Sequence, residues 1–275
     1  MPELPEVETV RRELLPALAG VRIAHVDVRR AGLRRPFPRH FADRLTGATP
    51  TALTRRGKFI QVALSTDETL VIHLGMSGAF RIVTPDAPDE DRELRYTHDH
   101  VVLTMADGAL VVYNDPRRFG VLDLVKAGGL ARYAPLSTLG PEPLDAGFDG
   151  AALAAACAGK RTPIKVALLD QRVVAGVGNI YASEALHHAR ISPRRRAGAL
   201  ATPRGAPREA AHVLAGSIKH VLALAIARHE RAYRRSPFLV YEREGAACPR
   251  RRCEGVIRRI TQAGRSTYYC PVCQR

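Results

Sequence analysis

The sequence predicts an α+β protein: an N-terminal antiparallel β-sandwich with a leading helix, then a helical region, then a C-terminal zinc ribbon. Three observations carry this. Short segments rich in Val, Ile and Leu, bounded by Gly, Asp and Pro, follow one another between residues 21 and 125 with no long helix between them. After a GPEPL turn at 140–144 the chain turns helical. Four of the five cysteines then stand in two close pairs near the C-terminus.

The elements follow in order. LPEVETVRRELLPAL places Val7, Val10, Leu14 and Leu18 on one helical face, and Pro5 suits the first turn. Pro2 and Glu3 therefore lie just before a helix N-terminus. VRIAHVDVRR, KFIQVALS, TLVIHLGMSGAFRIV, HVVLTMADGALVVYND and FGVLDLV read as strands, with Asp107-Gly108 as a hairpin turn. TPDAPDEDRE (84–93) reads as an acidic surface loop. Helices are expected over 149–158, about 163–170, about 178–188 and near 206–230. Gly176 and Gly178 suit a tight interhelical turn whose backbone N–H groups could meet a phosphate. The segment from about 237 to 275 is the ribbon.

Length and composition fit two domains with a sizeable core, filled by aliphatic side chains because aromatics are 5% and Trp is absent. No apolar run approaches the ~18 residues of a membrane span. The N-terminus is too acidic and interrupted for a signal peptide. The expectation is a cytoplasmic, nucleoid-associated protein with no membrane partner. The net charge is +15, and its placement is uneven. Residues 190–275 hold 19 Arg/Lys against 5 Asp/Glu, whereas the first 189 hold 23 against 22. A basic final third favours a polyanion, nucleic acid first. Lys is scarce, so Lys58, Lys160 and Lys165 mark places where a compact amine is wanted.

Cys248 and Cys253 form C-x4-C, and Cys270 and Cys273 form C-x2-C after 16 residues. In a cytosolic chain four such thiolates suit one structural, tetrahedral Zn2+. Cys157, in AALAAACAG, reads as a buried small apolar residue. At the other end, removal of Met1 would leave Pro2 as a secondary amine, partly neutral at physiological pH. Such an amine can attack a sugar C1′ and form a cationic iminium, with Glu3 passing protons to the ring oxygen. Taken alone, PELPE also fits an ordinary helix N-terminus, and Lys58 in RRGKF an ordinary surface lysine. HLGMSG (73–78) and NDPRRFG (114–120) set Met76 and Phe119 on Gly-flanked loops, beside Arg117 and Arg118. They suit either a wedge entering a base stack or packing at strand ends.

In order, PELPEVE, RRGKF, HLGMSG, NDPRRFG, GVGNIYASE and GRSTYYCPVCQ resemble the bacterial formamidopyrimidine-DNA glycosylases from residue 2 to the end. The resemblance implies domains at 1–135 (catalytic β-sandwich), 136–236 (helix-two-turn-helix) and 237–275 (zinc finger). It implies a bifunctional DNA glycosylase and AP lyase acting on damaged double-stranded DNA, without a nucleotide cofactor; the sequence offers no physical basis for an oligomer, so a monomer is expected. Pro2 resembles the Schiff-base nucleophile, Glu3 the acid that protonates the deoxyribose, and Glu6 its supporting carboxylate. Lys58 resembles the β-elimination proton donor, and Arg265 the δ-elimination donor on the zinc hairpin. Met76, Arg117 and Phe119 resemble the triplet that fills the gap left by a flipped base. Asn179, Lys165 and His73 match phosphate-gripping positions, and His98 and Lys160 further DNA contacts.

Two departures stand out. The first knuckle is C-x4-C where the family usually has C-x2-C, so the extra arginines of PRRR are expected to add a phosphate contact. The loop that closes over 8-oxoguanine is shortened to RHERAYRRSPFL, which shifts the expected preference toward formamidopyrimidines or oxidised pyrimidines. An endonuclease VIII-like enzyme for oxidised pyrimidines is the sibling reading, although that branch begins PEGPE where this chain has Leu4. A zinc-ribbon DNA-binding protein without catalysis is the reading from another class.

Overall fold

The computed structural model describes residues 2–88, 97–230 and 238–275. It comprises two compact units, Met1–Ser137 and Thr138–Arg275.

The first unit begins with helix α1 (Leu4–Leu18). Strands β1 (Ile23–Val28), β6 (Asp99–Met105), β7 (Leu110–Asn114) and β5 (Ala79–Val83) form one sheet in the order β1-β6-β7-β5. Strands β2 (Pro50–Arg56), β3 (Phe59–Leu64), β4 (Glu68–His73) and β8 (Val121–Lys126) form the other, in the order β2-β3-β4-β8. Every pairing in both sheets is antiparallel. One core joins them. Ile60, Val62, Ile72 and Leu122 of the second sheet pack with Val101, Leu103, Val111 and Tyr113 of the first. Val7, Leu14 and Leu18 of α1 enter the same core, which is the face their spacing marks. The β6–β7 turn falls at Asp107-Gly108, where Gly108 has φ +88° and the Asp107 carboxylate accepts the Ala109 N–H at 3.0 Å.

Sequence reading missed β2 and the short helix α2 (Phe41–Leu45). Along β2 only Pro50 and Leu53 are buried, so the strand has too few apolar positions to alternate. Five residues are too few to show a helical period. Helix α3 (Ala134–Ser137) closes the unit.

The second unit holds α4 (Gly150–Cys157), α5 (Ile164–Leu169), α6 (Asn179–His188) and α7 (Glu209–Glu230), followed by the hairpin β9 (Arg258–Gln262) and β10 (Arg265–Tyr269). Asp149 caps α4, its carboxylate accepting the Ala152 N–H at 2.9 Å. Cys157 is fully buried, and burial pushes its thiol up to about 11. Helix α7 packs on α4 and α6. Contrary to the sequence reading, Glu209–Arg228 is long and apolar enough to cross a membrane by length and composition. Alanines make that possible between scattered polar residues, and Ala211, Leu214, Ala215, Ile218 and Leu222 are buried as one face of a core helix. Part of the acidic segment (89–93) and most of the shortened loop (231–237) lie outside the described residues.

Candidate functional site

In the first unit, Glu3 is the N-cap of α1 and only 2% exposed. A capping box holds it: Glu3 accepts from the third residue of the helix, and the Glu6 carboxylate accepts the Glu3 N–H at 2.8 Å. Pro2 precedes this cap and is half-buried. Its position is therefore fixed by the helix that follows it.

Lys58 lies in the β2–β3 turn after Gly57 (φ +57°) and is buried, 7% exposed, rather than an ordinary surface lysine. A chain of polar contacts ties this turn to α1. Arg55 donates to the Gly57 carbonyl at 3.0 Å and meets the Glu8 carboxylate at 3.3 Å. Arg11 and Arg12 both reach Glu8 at 2.7 Å. Burial alone would raise Glu8, but the hydrogen bonds from Arg11 and Arg12 bring it down to about 2. His73 pairs with Phe59 across β3–β4, their ring centroids 4.8 Å apart. Burial, then the charges of Lys58 and Arg34, lower His73 to about 4. The ring is thus neutral at pH 7. Its Nδ1 accepts the Gly75 N–H at 3.1 Å, which puts the proton on Nε2 as a donor.

Met76 and Phe119 are 41% and 43% exposed, large apolar side chains in the open rather than packed at strand ends. Their loops touch: a Cβ on Gly75 would stand 2.4 Å from the Phe119 carbonyl carbon. The Arg117 guanidinium lies over the Phe119 ring, 5.0 Å from its centroid. His98 is exposed nearby in the chain, and its carbonyl accepts the Asp115 N–H at 3.0 Å.

In the second unit, Lys165 on α5 is fully buried. Its ammonium donates to the Asn179 side-chain oxygen and, at 3.3 Å, to the Ser266 carbonyl. Asn179 Nδ2 donates to that same carbonyl at 3.1 Å. The start of α6 and the zinc hairpin thereby share one buried cation. Arg265 is exposed on the hairpin beside Ser266, and Lys160 is half-exposed in the turn after α4. The Gly176 N–H, expected to be open to phosphate, instead donates to Gln171 Oε1 at 2.8 Å.

The Sγ atoms of Cys248, Cys253, Cys270 and Cys273 all lie within 4.8 Å of one another. Cys248–Cys273 and Cys253–Cys270 are 3.8 and 3.6 Å apart. A tetrahedral zinc with bonds of about 2.3 Å requires sulfurs about 3.8 Å apart, so the four residues fit the ion. Burial, then hydrogen bonds with Cys270 and Cys248, push Cys273 up to about 12, a cost that a dication would offset. The wide knuckle is not free for phosphate throughout: Arg250 donates to the His187 and His188 carbonyls at the end of α6, at 2.7 and 3.3 Å. His187, 2% exposed, places Nε2 at 3.4 Å from Cys248 Sγ.

Sequence reading also missed Glu184, though it stands in GVGNIYASE. This buried carboxylate accepts the N–H groups of Leu239, Val240 and Tyr241 at 2.8, 2.9 and 2.9 Å. Glu8 and Asp115 were missed likewise. A helical face occupied by Glu reads as solvated unless its distant partners are known.

Exposed apolar loop residues beside an arginine, together with a basic C-terminal third and a four-cysteine ribbon, suit a protein that opens a duplex and works on one extruded nucleotide, the class of base-excising DNA enzymes. Residues 1–122, 139–236 and 247–275 match the families described as Formamidopyrimidine-DNA glycosylase N-terminal domain, Formamidopyrimidine-DNA glycosylase H2TH domain, and Zinc finger found in FPG and IleRS. The formamidopyrimidine-DNA glycosylases of Bradyrhizobium sp. BTAi1 and Azorhizobium caulinodans are 48% and 49% identical, each over the full length of both chains. Lactococcus lactis Fpg in complex with abasic-site DNA superposes with a TM-score of 0.84 at 32% identity, covering 99% of each chain. The same enzyme with DNA containing an oxidised pyrimidine gives 0.84 at 34% identity, covering 100% of each. The chain belongs to the formamidopyrimidine-DNA glycosylase family.

Proposed function

We propose that this chain excises oxidised purines, formamidopyrimidines and 8-oxoguanine, through a Schiff base on Pro2, and then cuts the strand by β,δ-elimination. As a family member it is a DNA glycosylase of base excision repair, with a structural zinc and damaged DNA as partner. Neutral Pro2 attacks C1′, the glycosidic bond breaks, and the base leaves with its electron pair and takes a proton. Glu3 delivers a proton to the ring oxygen as the sugar opens, and Glu6 holds the Glu3 backbone. The iminium acidifies C2′; water takes that proton as the 3′-phosphate leaves, with Lys58 as donor, a second elimination expels the 5′-phosphate, with Arg265 at the hairpin, and hydrolysis of the C1′–N bond frees Pro2 and the unsaturated aldehyde. Met76, Arg117 and Phe119 fill the vacated stack. His73, His98, Lys160 and Asn179 hold the backbone, His73 as a neutral N–H donor; Lys165, fully buried, does not reach the DNA itself as the resemblance implied and instead orients the Asn179 amide. Zinc, held by the four cysteines, supplies no chemistry and cross-links the ribbon that carries Arg265. The same reading places domains at 1–135, 136–236 and 237–275, and a monomer without nucleotide cofactor at the nucleoid.

The observation that carries this reading is the N-terminus, where a capping box fixes Glu3 directly behind a half-buried proline. A DNA-binding module needs neither. The test is borohydride trapping on a duplex carrying 8-oxoguanine opposite cytosine, with the cross-linked residue located by mass spectrometry. An adduct on Pro2, lost in Pro2→Gly while DNA affinity persists, is the expected result. Full cleavage by Pro2→Gly would overturn the assignment. The Lactococcus complex with oxidised-pyrimidine DNA favours running that lesion in parallel; trapping on it alone would keep the chemistry and change the substrate.

A further inference from the structure

We infer that Asp115, with Ser77, is a positioning pair that locks Met76, Arg117 and Phe119 into one preformed wedge. This deepens the function proposed above and rests on it. Asp115 has no exposed surface, yet lies two residues before Arg117. Its Oδ1 accepts from Ser77 Oγ at 2.5 Å, and its Oδ2 accepts the Gly120 N–H at 2.8 Å. Ser77 Oγ in turn accepts the Arg117 N–H at 3.1 Å. The Asp115 carbonyl accepts the Arg118 N–H at 3.1 Å and meets His100 Nε2 at 2.9 Å. One carboxylate thus closes the loop from its first residue to Gly120, just past Phe119, and reaches across to the residue after Met76.

The backbone around this clasp needs holding. Arg118 has φ +56° and Gly75 φ +61°. A non-glycine residue in that region costs free energy unless its surroundings enforce it. A Cβ at Gly120 would stand 1.8 Å from the Tyr113 hydroxyl, so the second loop is pressed onto β7 as well.

The physical consequence is preorganisation. Turning a base out costs a few kcal/mol. A wedge whose loops must first be ordered would add the cost of that ordering to every insertion. Here both loops are already tied to one buried carboxylate, so insertion can proceed without reshaping either. The three residues should also act as a unit.

The test uses full-length Ser77→Ala and Asp115→Asn, which keeps the shape of the side chain but replaces one acceptor with an NH2, so that the Ser77 hydroxyl loses the oxygen it donates to or the Gly120 N–H loses its acceptor. Wedge insertion is read by fluorescence of 2-aminopurine beside the lesion. Chemistry is read by borohydride trapping on the lesion duplex and on a single-stranded abasic oligonucleotide, where no stack is entered. Both variants should slow the 2-aminopurine rise and lower the ratio of duplex to single-strand trapping about 10- to 100-fold, the scale of a 1 Å misplacement. Ser77→Thr, which keeps the hydroxyl, should recover most of that loss. Should Asp115→Asn fail to fold, the half-exposed Ser77 carries the comparison. An unchanged ratio, or equal losses on duplex and single strand, would overturn the positioning role. A wild-type protein that unstacks the duplex but traps nothing would overturn the lyase reading and leave the clasp standing on its fluorescence arm; one that does neither overturns both.

Discussion

Glu184→Gln isolates one carboxylate that joins α6 to the start of the ribbon. Oε1 accepts two N–H groups, from Val240 and Tyr241, and Oε2 accepts one, from Leu239. Glutamine can place its oxygen on the pair, but its NH2 then faces the Leu239 N–H. Hydrogen bonds to charged groups contribute about 1.5–3 kcal/mol, neutral ones about half, and an unsatisfied buried donor costs about 1–3 kcal/mol. One bond lost and two weakened amount to roughly 3–6 kcal/mol, toward the lower end because Leu239 is partly exposed and water can reach its N–H. Val240 is fully buried in the cluster that contains Cys248 and Cys270, so the loss falls on the zinc ribbon. Denaturant titration of the zinc-loaded protein should show the loss, and a chelator should strip the metal faster than from wild type. A stability change below about 0.5 kcal/mol, the size of an ordinary surface substitution, would refute the claim that this carboxylate holds the segment.

Glu8 gives an acid prediction. Its carboxyl titrates near 2 in the folded chain against an ordinary 4.5, so its contribution is complete above about pH 4.5 and is lost as pH falls through 2. That contribution is roughly 2–3 kcal/mol, so Glu8→Gln should flatten the acid limb of a stability–pH curve; an unchanged limb would remove Glu8 from the account. At the metal, the 3.4 Å contact of His187 Nε2 with Cys248 Sγ predicts that His187→Phe weakens zinc binding about 10- to 100-fold. His187→Gln, which keeps a donor at similar reach, should not; competition with a chromophoric chelator measures both, starting from one zinc per chain.

The fold was largely legible because its rules are local. The apolar face of α1, the Asp107-Gly108 hairpin and the paired cysteines each announce themselves within a few residues. Met76 and Phe119 were legible as candidates for the same reason, since glycines beside large apolar residues mark unusual loops. What stayed hidden depends on partners far along the chain. Glu184 meets its N–H donors more than fifty residues on, and Ser77 meets Asp115 across two loops. Nothing in PRRR distinguishes Arg250, turned to the carbonyls of α6, from the exposed Arg251 and Arg252.

The lysines show how geometry revises a compositional hint. Their scarcity suggested places where an amine able to lose a proton is wanted. For Lys165 the structure supplies another reason. A fully buried arginine would bring five N–H donors needing acceptors in fixed directions, whereas an ammonium brings three that rotate to suit. Two acceptors, Asn179 Oδ1 and the Ser266 carbonyl, are in place. Lysine is favoured there by donor count. Its effect on Asn179 is directional. The amide oxygen is turned to the Lys165 ammonium and one of its N–H groups to the Ser266 carbonyl, so the second N–H is what the amide has left to offer at the head of α6, the polarity a phosphate requires. Lys58 is the other buried lysine, and its charge is already felt in the lowered His73.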